Sequence, residues 1–176
     1  MNTSDDSLME RIFVDTATRA LFSDARRIDA MLVFEAALAR AEARCGLVPD
    51  SAIAAIAAEC EASRYDFAAL GDDARRAGNL AIPLVKALTA RVRAVDAEAA
   101  RWVHWGATSQ DVIDTGLVLQ LRDALVHVDR ELARLGDVLI ALTEAHRRSV
   151  MVGRTWLQQA VPTTFGLKTA GWLDAL

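Results

Sequence analysis

The sequence predicts an all-α protein, with a small N-terminal helical domain over residues 1–105 and the beginning of a long-helix bundle over residues 106–176. Hydrophobic residues make up 53% of the 176 residues, and alanine and leucine, both strong helix formers, dominate them. Alternating strand patterns and Asn-Gly or Asp-Gly hairpin signals are missing. Only three prolines interrupt the helical patterns. The local preference is therefore helical nearly throughout.

Capping residues and helix breakers indicate where the helices begin and end. Ser23 is a suitable N-cap for a first long helix, and Gly46 stands just past Cys45 as its stop. Pro49 and Asp50 begin a second helix, and Pro83 is acceptable in a first turn. Beyond the first helix, the predicted helices cover residues 50–61, 66–76, 83–93 and 163–176.

The segment 109–148 predicts one helix of about 40 residues, on the order of 60 Å long. Its apolar residues recur in alternating steps of four and three, at Leu121, Leu125, Val128, Leu132, Leu135, Leu139 and Leu142. Such a seam resembles a coiled coil and needs other long helices to cover it. We therefore expect the chain to be the N-terminal part of a longer protein, or to be completed by partner chains.

Composition and patterning argue against several classes of protein. A net charge of −4 provides no basic field for nucleic acid. Cys45 and Cys60 lack metal-ligand or CxxC spacing and are interpreted as small buried hydrophobes in a reducing compartment. The apolar stretches 31–39, which Glu35 interrupts, and 52–58 are too short to span a bilayer, and residues 1–10 lack the pattern of a signal peptide. We expect a cytoplasmic protein without metal, membrane or nucleic-acid partners.

The first polar cluster lies directly before the long helix, at residues 104–111. Gly106 allows a turn, and Thr108 or Ser109 can cap the helix, whose first amide groups attract an anion such as a carboxylate. A capped helix with Asp111 complementing the dipole is the simpler interpretation of the spacing. His104 is a candidate for acid–base or carboxylate-binding duty, with a structural histidine as the open alternative.

The second polar cluster covers residues 153–164. Arg154 offers a planar donor fork for a carboxylate, Thr155 adds a hydroxyl, and Gln158 lies about one helical turn later. The alternative is a loop with an exposed arginine and a helix start near Pro162. Glycosidase carboxylate pairs, phosphate loops, zinc signatures and nucleophile elbows are missing from the sequence.

These two clusters resemble the two shared regions of the fumarase/aspartase superfamily. The first is VHWGATSQD at 103–111, and the second is GRTWLQ at 153–158 with Ala160, Pro162, Thr163 and Gly166. The resemblance implies a helical homotetramer with active sites built from three subunits, a small polycarboxylate substrate and no cofactor. It implies substrate binding by Asn79, Thr108, Ser109, Arg154, Thr155 and Gln158. His104 and Ser109 are provisional catalytic residues, and the general base belongs to a Gly-Ser-Ser loop that these 176 residues lack.

The surrounding sequence, AGN at 77–79, IPLV at 82–85 and AGWL at 170–173, resembles a branch that adds a carboxylate across a double bond to close a lactone. Adenylosuccinate lyases carry histidines where Trp156 and Asn79 stand. A carboxylate leaving group, whose acid has a pKa of about 4, departs without a proton. A tryptophan, which supplies no proton, is therefore compatible with such a leaving group. Two alternatives remain open: β-elimination on a succinate-like acid, and a non-catalytic helical oligomerisation module. We expect no turnover by these 176 residues alone.

Overall fold

The computed structural model describes residues 12–13 and 15–176, which form two compact units that meet between Ala124 and Leu125 in the sequence. The helices are α1 (Thr16–Leu21), α2 (Asp24–Arg44), α3 (Asp50–Ala58), α4 (Phe67–Ala77), α5 (Ala81–Val95), α6 (Ser109–Ala145) and α7 (Phe165–Leu173). Short 3₁₀ turns cover Ala62–Arg64 and Ala99–Trp102, and the strands are β1 (Val150–Thr155) and β2 (Gln158–Thr164). The division between the units falls within α6, and the predicted boundary at residues 105 and 106 stays a prediction.

The predicted ends of the early helices are largely confirmed. The Ser23 hydroxyl accepts a hydrogen bond from the Arg26 amide at the start of α2, and Gly46 takes a left-handed conformation after its end. Helix α3 stops at Ala58, short of the predicted residue 61. Helix α5 begins at Ala81, so that Pro83 lies within its first turn as expected.

The core of the first unit forms around the buried face of α2. Ile28, Met31 and Leu32 are buried there and pack with Leu84 and Leu88 of α5. The first part of α6 lies tightly against α2, because a Cβ on Gly116 would come within 2.9 Å of the Met31 side chain. Two polar contacts also fix this part of α6: Arg26 pairs with Asp123 at 2.7 Å, and the Gln120 amide donates to the Leu21 carbonyl at 3.0 Å.

The long helix is confirmed, although it ends at Ala145 and not at residue 148. Five of the seven residues of its predicted seam are exposed: Leu121, Leu125, Val128, Leu132 and Leu135. Leu139 is buried within the second unit. Much of the seam is therefore available to further helices, as its spacing predicts.

A β-hairpin follows α6 where the sequence predicts no strand. Strands β1 and β2 pair antiparallel, with Thr155 opposite Gln158 and Arg154 opposite Gln159. The register shifts between Val152 and Arg154, where Ala160 and Val161 of β2 both lie opposite Gly153 and form a bulge. The alternative prediction of a loop with a helix start near Pro162 is also wrong, because Pro162 lies in β2 and the next helix starts at Phe165.

Helix α7 packs back on the end of α6. The hydroxyl groups of Thr143 and Thr169 lie 2.9 Å apart, and the Gly166 amide donates to the His146 carbonyl at 3.0 Å. A Cβ on Gly166 would lie 2.8 Å from three backbone atoms of residues 143–147, so only glycine fits there without a shift. The predicted helix over 163–176 is shortened at both ends, to Phe165–Leu173.

The two cysteines are both free thiols. The prediction that both are buried is wrong for Cys45, which is exposed just after the end of α2. Cys60 is half-buried, and burial together with the charge of Glu35 raises the pKa of its thiol to about 12. Among the described residues, no helix combines the length and hydrophobicity needed to cross a bilayer.

Candidate active site

The segment of the first polar cluster leaves regular structure in order to reach α6. His104 and Gly106 both take left-handed backbone conformations, with φ of 57° and 67°. This conformation is uncommon for a residue with a side chain, and it is held where the surrounding structure determines it. It turns the chain between the 3₁₀ turn at Ala99–Trp102 and the start of α6.

The start of α6 is capped by its own acidic residue. The Thr108 amide donates to the Asp111 carboxylate at 2.9 Å, and the Asp111 amide donates to the Thr108 carbonyl at 3.1 Å. This arrangement agrees with the capped-helix interpretation. The side chain of Thr108 is exposed and Ser109 is half-buried. Capping therefore leaves both residues accessible for a ligand at the helix N-terminus.

His104 is held by a contact with the buried side chain of Glu35. Its Nδ1 lies 2.6 Å from Oε1 of Glu35, whose side chain is only 1% exposed, whereas the His104 side chain is 15% exposed. The hydrogen bond to Glu35 raises the pKa of His104, partly opposed by burial and supported by the charges of Asp111 and Glu42. The imidazole is therefore biased toward its charged form.

A second carboxylate lies in the same region. Burial and the charge of Glu35 raise the pKa of Glu42, while His104 lowers it. Oε2 of Glu35 and Oε2 of Glu42 are both buried without a hydrogen-bond partner in the part of the chain that the structure describes. Sequence reasoning did not assign either residue to the site, although Glu35 was visible as the one charge within the apolar stretch 31–39.

Asn79 lies at the start of α5, where its Oδ1 accepts a hydrogen bond from the Ile82 amide at 3.1 Å. It also lines a cavity of about 290 Å³ in the first unit, together with Arg27, Met31 and Gln120. Arg27 has no ion-pair partner within the described residues. Asn79 thus caps the start of α5 and also lines a cavity whose wall includes the side chain of Arg27.

The second polar cluster lies on the hairpin, which corrects the predicted spacing of its residues. Arg154 and Gln158 are not one helical turn apart, because they belong to two paired strands. Opposed residues share a face of a hairpin, so Thr155 and Gln158 share one face and Arg154 shares the other with Gln159. Gln159 is therefore a neighbour of Arg154 that the sequence did not indicate.

Arg154 is exposed, and within the described residues its guanidinium forms no ion pair or hydrogen bond. The turn between the strands consists of Trp156 and Leu157, which are 85% and 92% exposed. Gly153 is required at the bulge, because a Cβ there would come within 2.6 Å of the Val161 carbonyl oxygen. The hairpin thus presents a free donor fork, a hydroxyl and an amide beside two uncovered apolar side chains.

Each unit presents one of the two motifs, and the joint site that the resemblance implies stays a prediction. The described residues contain no group of three or more His, Cys, Asp or Glu side chains that could hold a metal ion. The chemistry available to the two motifs is hydrogen bonding to anionic oxygens, together with proton transfer at an imidazole.

Comparison with known proteins relates both motifs to enzymes that act on carboxylic acids. A family model described as lyase matches residues 6–176. A 3-carboxy-cis,cis-muconate cycloisomerase of Pseudomonas putida is 55% identical over 171 residues, which are 97% of this chain and 40% of that protein. A nitrosuccinate lyase of Streptomyces davaonensis is 46% identical, covering 96% of this chain and 36% of that protein.

A solved structure agrees with the same assignment. The 3-carboxy-cis,cis-muconate lactonizing enzyme from Pseudomonas putida superposes with a TM-score of 0.93 at 55% identity, over 96% of this chain and 38% of that one. The chain thus spans about two fifths of the length of the relatives it matches. Since the family model includes both polar motifs and all but the first five residues, the chain belongs to the lyase family of the fumarase/aspartase superfamily.

Proposed function

We propose that the protein to which this chain belongs is a cycloisomerase that interconverts 3-carboxy-cis,cis-muconate and its lactone, in the protocatechuate branch of the β-ketoadipate pathway. The observation that carries the proposal is the residue in the turn of the hairpin. This residue is Trp156, which lies between Thr155 and Gln158 and is 85% exposed. A branch that expels nitrogen benefits from a proton donor at this position. A branch whose leaving group is a carboxylate does not need one.

In the proposed reaction, a carboxylate oxygen of the muconate adds to a carbon of the conjugated double bond. The C–O bond of the lactone forms, the electron pair of the double bond moves to the neighbouring carbon, and that carbon takes up a proton. The carbanion is stabilised by the adjacent carboxylate of the substrate and by donors placed around it. In the reverse direction a base removes the same proton and the carboxylate departs.

The donors of this chain fit the carboxylates of such a substrate. The guanidinium of Arg154 can donate two hydrogen bonds to a carboxylate, and no other described residue pairs with it. The exposed Thr108 lies at the N-terminus of α6, which attracts anions. The family resemblance adds Ser109, Thr155, Gln158 and Asn79 to the substrate-binding residues that we propose. The general base lies outside these 176 residues, and the reaction requires neither a metal nor an organic cofactor.

We propose further that the protein is a cytoplasmic homo-oligomer, a tetramer as the family resemblance implies. Five exposed apolar residues of α6 support this proposal, because burying such a seam between long helices stabilises an assembly. Two free thiols in the first unit support a reducing compartment.

The test is an assay of the protein expressed from its complete native reading frame, with carboxymuconate, adenylosuccinate, argininosuccinate and nitrosuccinate as separate substrates. The proposal requires turnover of carboxymuconate above the other three acids. Failure on carboxymuconate together with elimination from one of the others would contradict it.

A second candidate is a lyase that performs β-elimination on a succinate-like acid. The 46% identity to a nitrosuccinate lyase favours this candidate over a non-catalytic helical oligomerisation module. The two enzymatic functions share the carboxylate donors and differ in the leaving group, so the substrate assay separates them directly.

A further inference from the structure

The starting observation is a carboxylate in an unfavourable place. Glu35 lies in the middle of α2 among the core residues Met31, Leu32 and Ala39, and its side chain is 1% exposed. An ionised carboxylate in such surroundings is strongly unfavourable without a charged partner. A cationic partner offsets this cost better than a neutral hydrogen-bond partner.

That partner is His104, which is 69 residues away in sequence. Its Nδ1 lies 2.6 Å from Oε1 of Glu35, a short separation of the kind found when one group is charged. His104 makes this contact from a left-handed backbone conformation. Its other ring nitrogen, Nε2, has no hydrogen-bond partner among the described residues and does not belong to the buried, unpaired atoms.

We propose that Glu35 is a positioning residue that keeps His104 as an imidazolium, with Nδ1–H fixed on the buried carboxylate and Nε2–H left free to donate to a carboxylate of the substrate. This inference rests on the proposed function for the nature of the ligand. It assigns His104 to binding of the anionic substrate rather than to proton abstraction, because an imidazolium has no lone pair with which to act as a base.

The charged groups around His104 all act in the same direction. Glu35 and Glu42 face it from α2 and Asp111 faces it from α6, and each raises its pKa, while burial alone opposes the charged form. Glu42 lies two helical turns beyond Glu35 on the same face of α2. The pKa of Glu42 is raised, which favours its neutral form. This reduces the negative charge that would otherwise accumulate around His104.

The position of His104 fits this role. It precedes by four residues the exposed Thr108 at the N-terminus of α6, where a helix dipole favours anions. A cationic donor four residues before that terminus adds a full charge to the partial charge of the helix. The acidic protein thereby forms a local anion site despite its net charge of −4.

The experiment measures the protonation of His104 without any substrate. The protein from the complete reading frame is treated with diethyl pyrocarbonate, which reacts with neutral imidazole and not with imidazolium. The modification rate at His104 is followed by peptide mass spectrometry between pH 5 and 9. His127 in the same sample is the internal reference. We expect the midpoint pH of His104 modification to lie above that of free histidine, and to move down in Glu35→Gln because the hydrogen bond to the carboxylate is lost.

Two further variants keep the result interpretable. Glu59→Gln removes another buried carboxylate, one that pairs with Arg91 at 2.8 Å, and is expected to leave the His104 midpoint unchanged. Glu35→Asp retains the charge at a greater distance and is expected to give an intermediate midpoint, which also covers the case in which Glu35→Gln does not fold. A His104 midpoint equal to that of free histidine, or one unmoved by either substitution at Glu35, would overturn the inference.

The binding role has its own readout. Carboxymuconate and succinate are added separately, and either is expected to slow modification of His104 in the wild type several-fold. Protection by succinate without turnover of carboxymuconate would contradict the proposed function and leave the inference intact. A raised midpoint without protection by either acid would overturn the assignment of His104 to substrate binding.

Discussion

Replacement of Gly166 by alanine tests the packing of α7 on the end of α6. The added Cβ would lie 2.8 Å from the Arg147 Cα, the His146 carbonyl oxygen and the Thr143 carbonyl oxygen. All three belong to the backbone, so none can rotate aside as a flexible side chain does. Overpacking of this kind costs about 1–3 kcal/mol, and we expect a value in the upper half of that range.

Gly171 provides the matched control, because it lies in the same helix with nothing within 4 Å of its Cβ position. Alanine there is expected to stabilise the helix by about 0.5–1 kcal/mol. The two variants should therefore differ by about 2.5–4 kcal/mol in the free energy of unfolding. Urea denaturation followed by circular dichroism measures the difference. A Gly166→Ala protein as stable as the wild type would refute the packing argument.

Two further predictions concern the hairpin and the buried acids. Gly153→Ala places a Cβ 2.6 Å from the Val161 carbonyl oxygen and is expected to destabilise the protein by about 1–3 kcal/mol; unchanged urea denaturation would contradict the bulge geometry. The pKa of His104 is raised above its usual 6.5, so its contact with Glu35 contributes stability fully below pH 6.5 and loses it as the pH rises through the folded value. The melting temperature of the wild type should therefore fall more between pH 6.5 and 9 than that of Glu35→Gln, and equal falls would count against the contact.

The helical part of the fold was predictable because its signals are local. Ser23 caps α2 and Gly46 follows its end as their chemistry predicts. The spacing of the seam likewise indicates a single long helix and an uncovered apolar face. These features depend on neighbours within a few residues, so one sequence contains enough information to find them.

The hairpin was missed because its determinants are not the usual ones. Its turn is Trp156 and Leu157, with a positive φ at Leu157 where glycine or asparagine is usual. Pro162 lies within β2, which is tolerated because each strand of a two-stranded sheet has an open edge. The glycine that permits the bulge, Gly153, is recognisable only when its distance to Val161 is known.

The motifs indicate candidate site residues, whose roles stay predictions, but they do not indicate which residue holds His104 in place. His104, Thr108 and Arg154 were identified from the motifs. The contact between His104 and Glu35 spans 69 positions, and no local pattern connects the two residues. The sequence showed an acid within an apolar stretch, and only the fold shows which residue it faces.

The most direct test of the account is the kcat/KM for carboxymuconate of the wild-type protein, expressed from its complete reading frame, compared with that of Arg154→Ala. Removing a guanidinium that binds a substrate carboxylate should lower kcat/KM by roughly 30- to 5,000-fold, since such a contact is worth about 2–5 kcal/mol. The control Arg148→Ala removes another exposed arginine of the same unit and should leave it unchanged. Wild-type kcat/KM in the Arg154→Ala protein would contradict the claim that this hairpin binds the substrate.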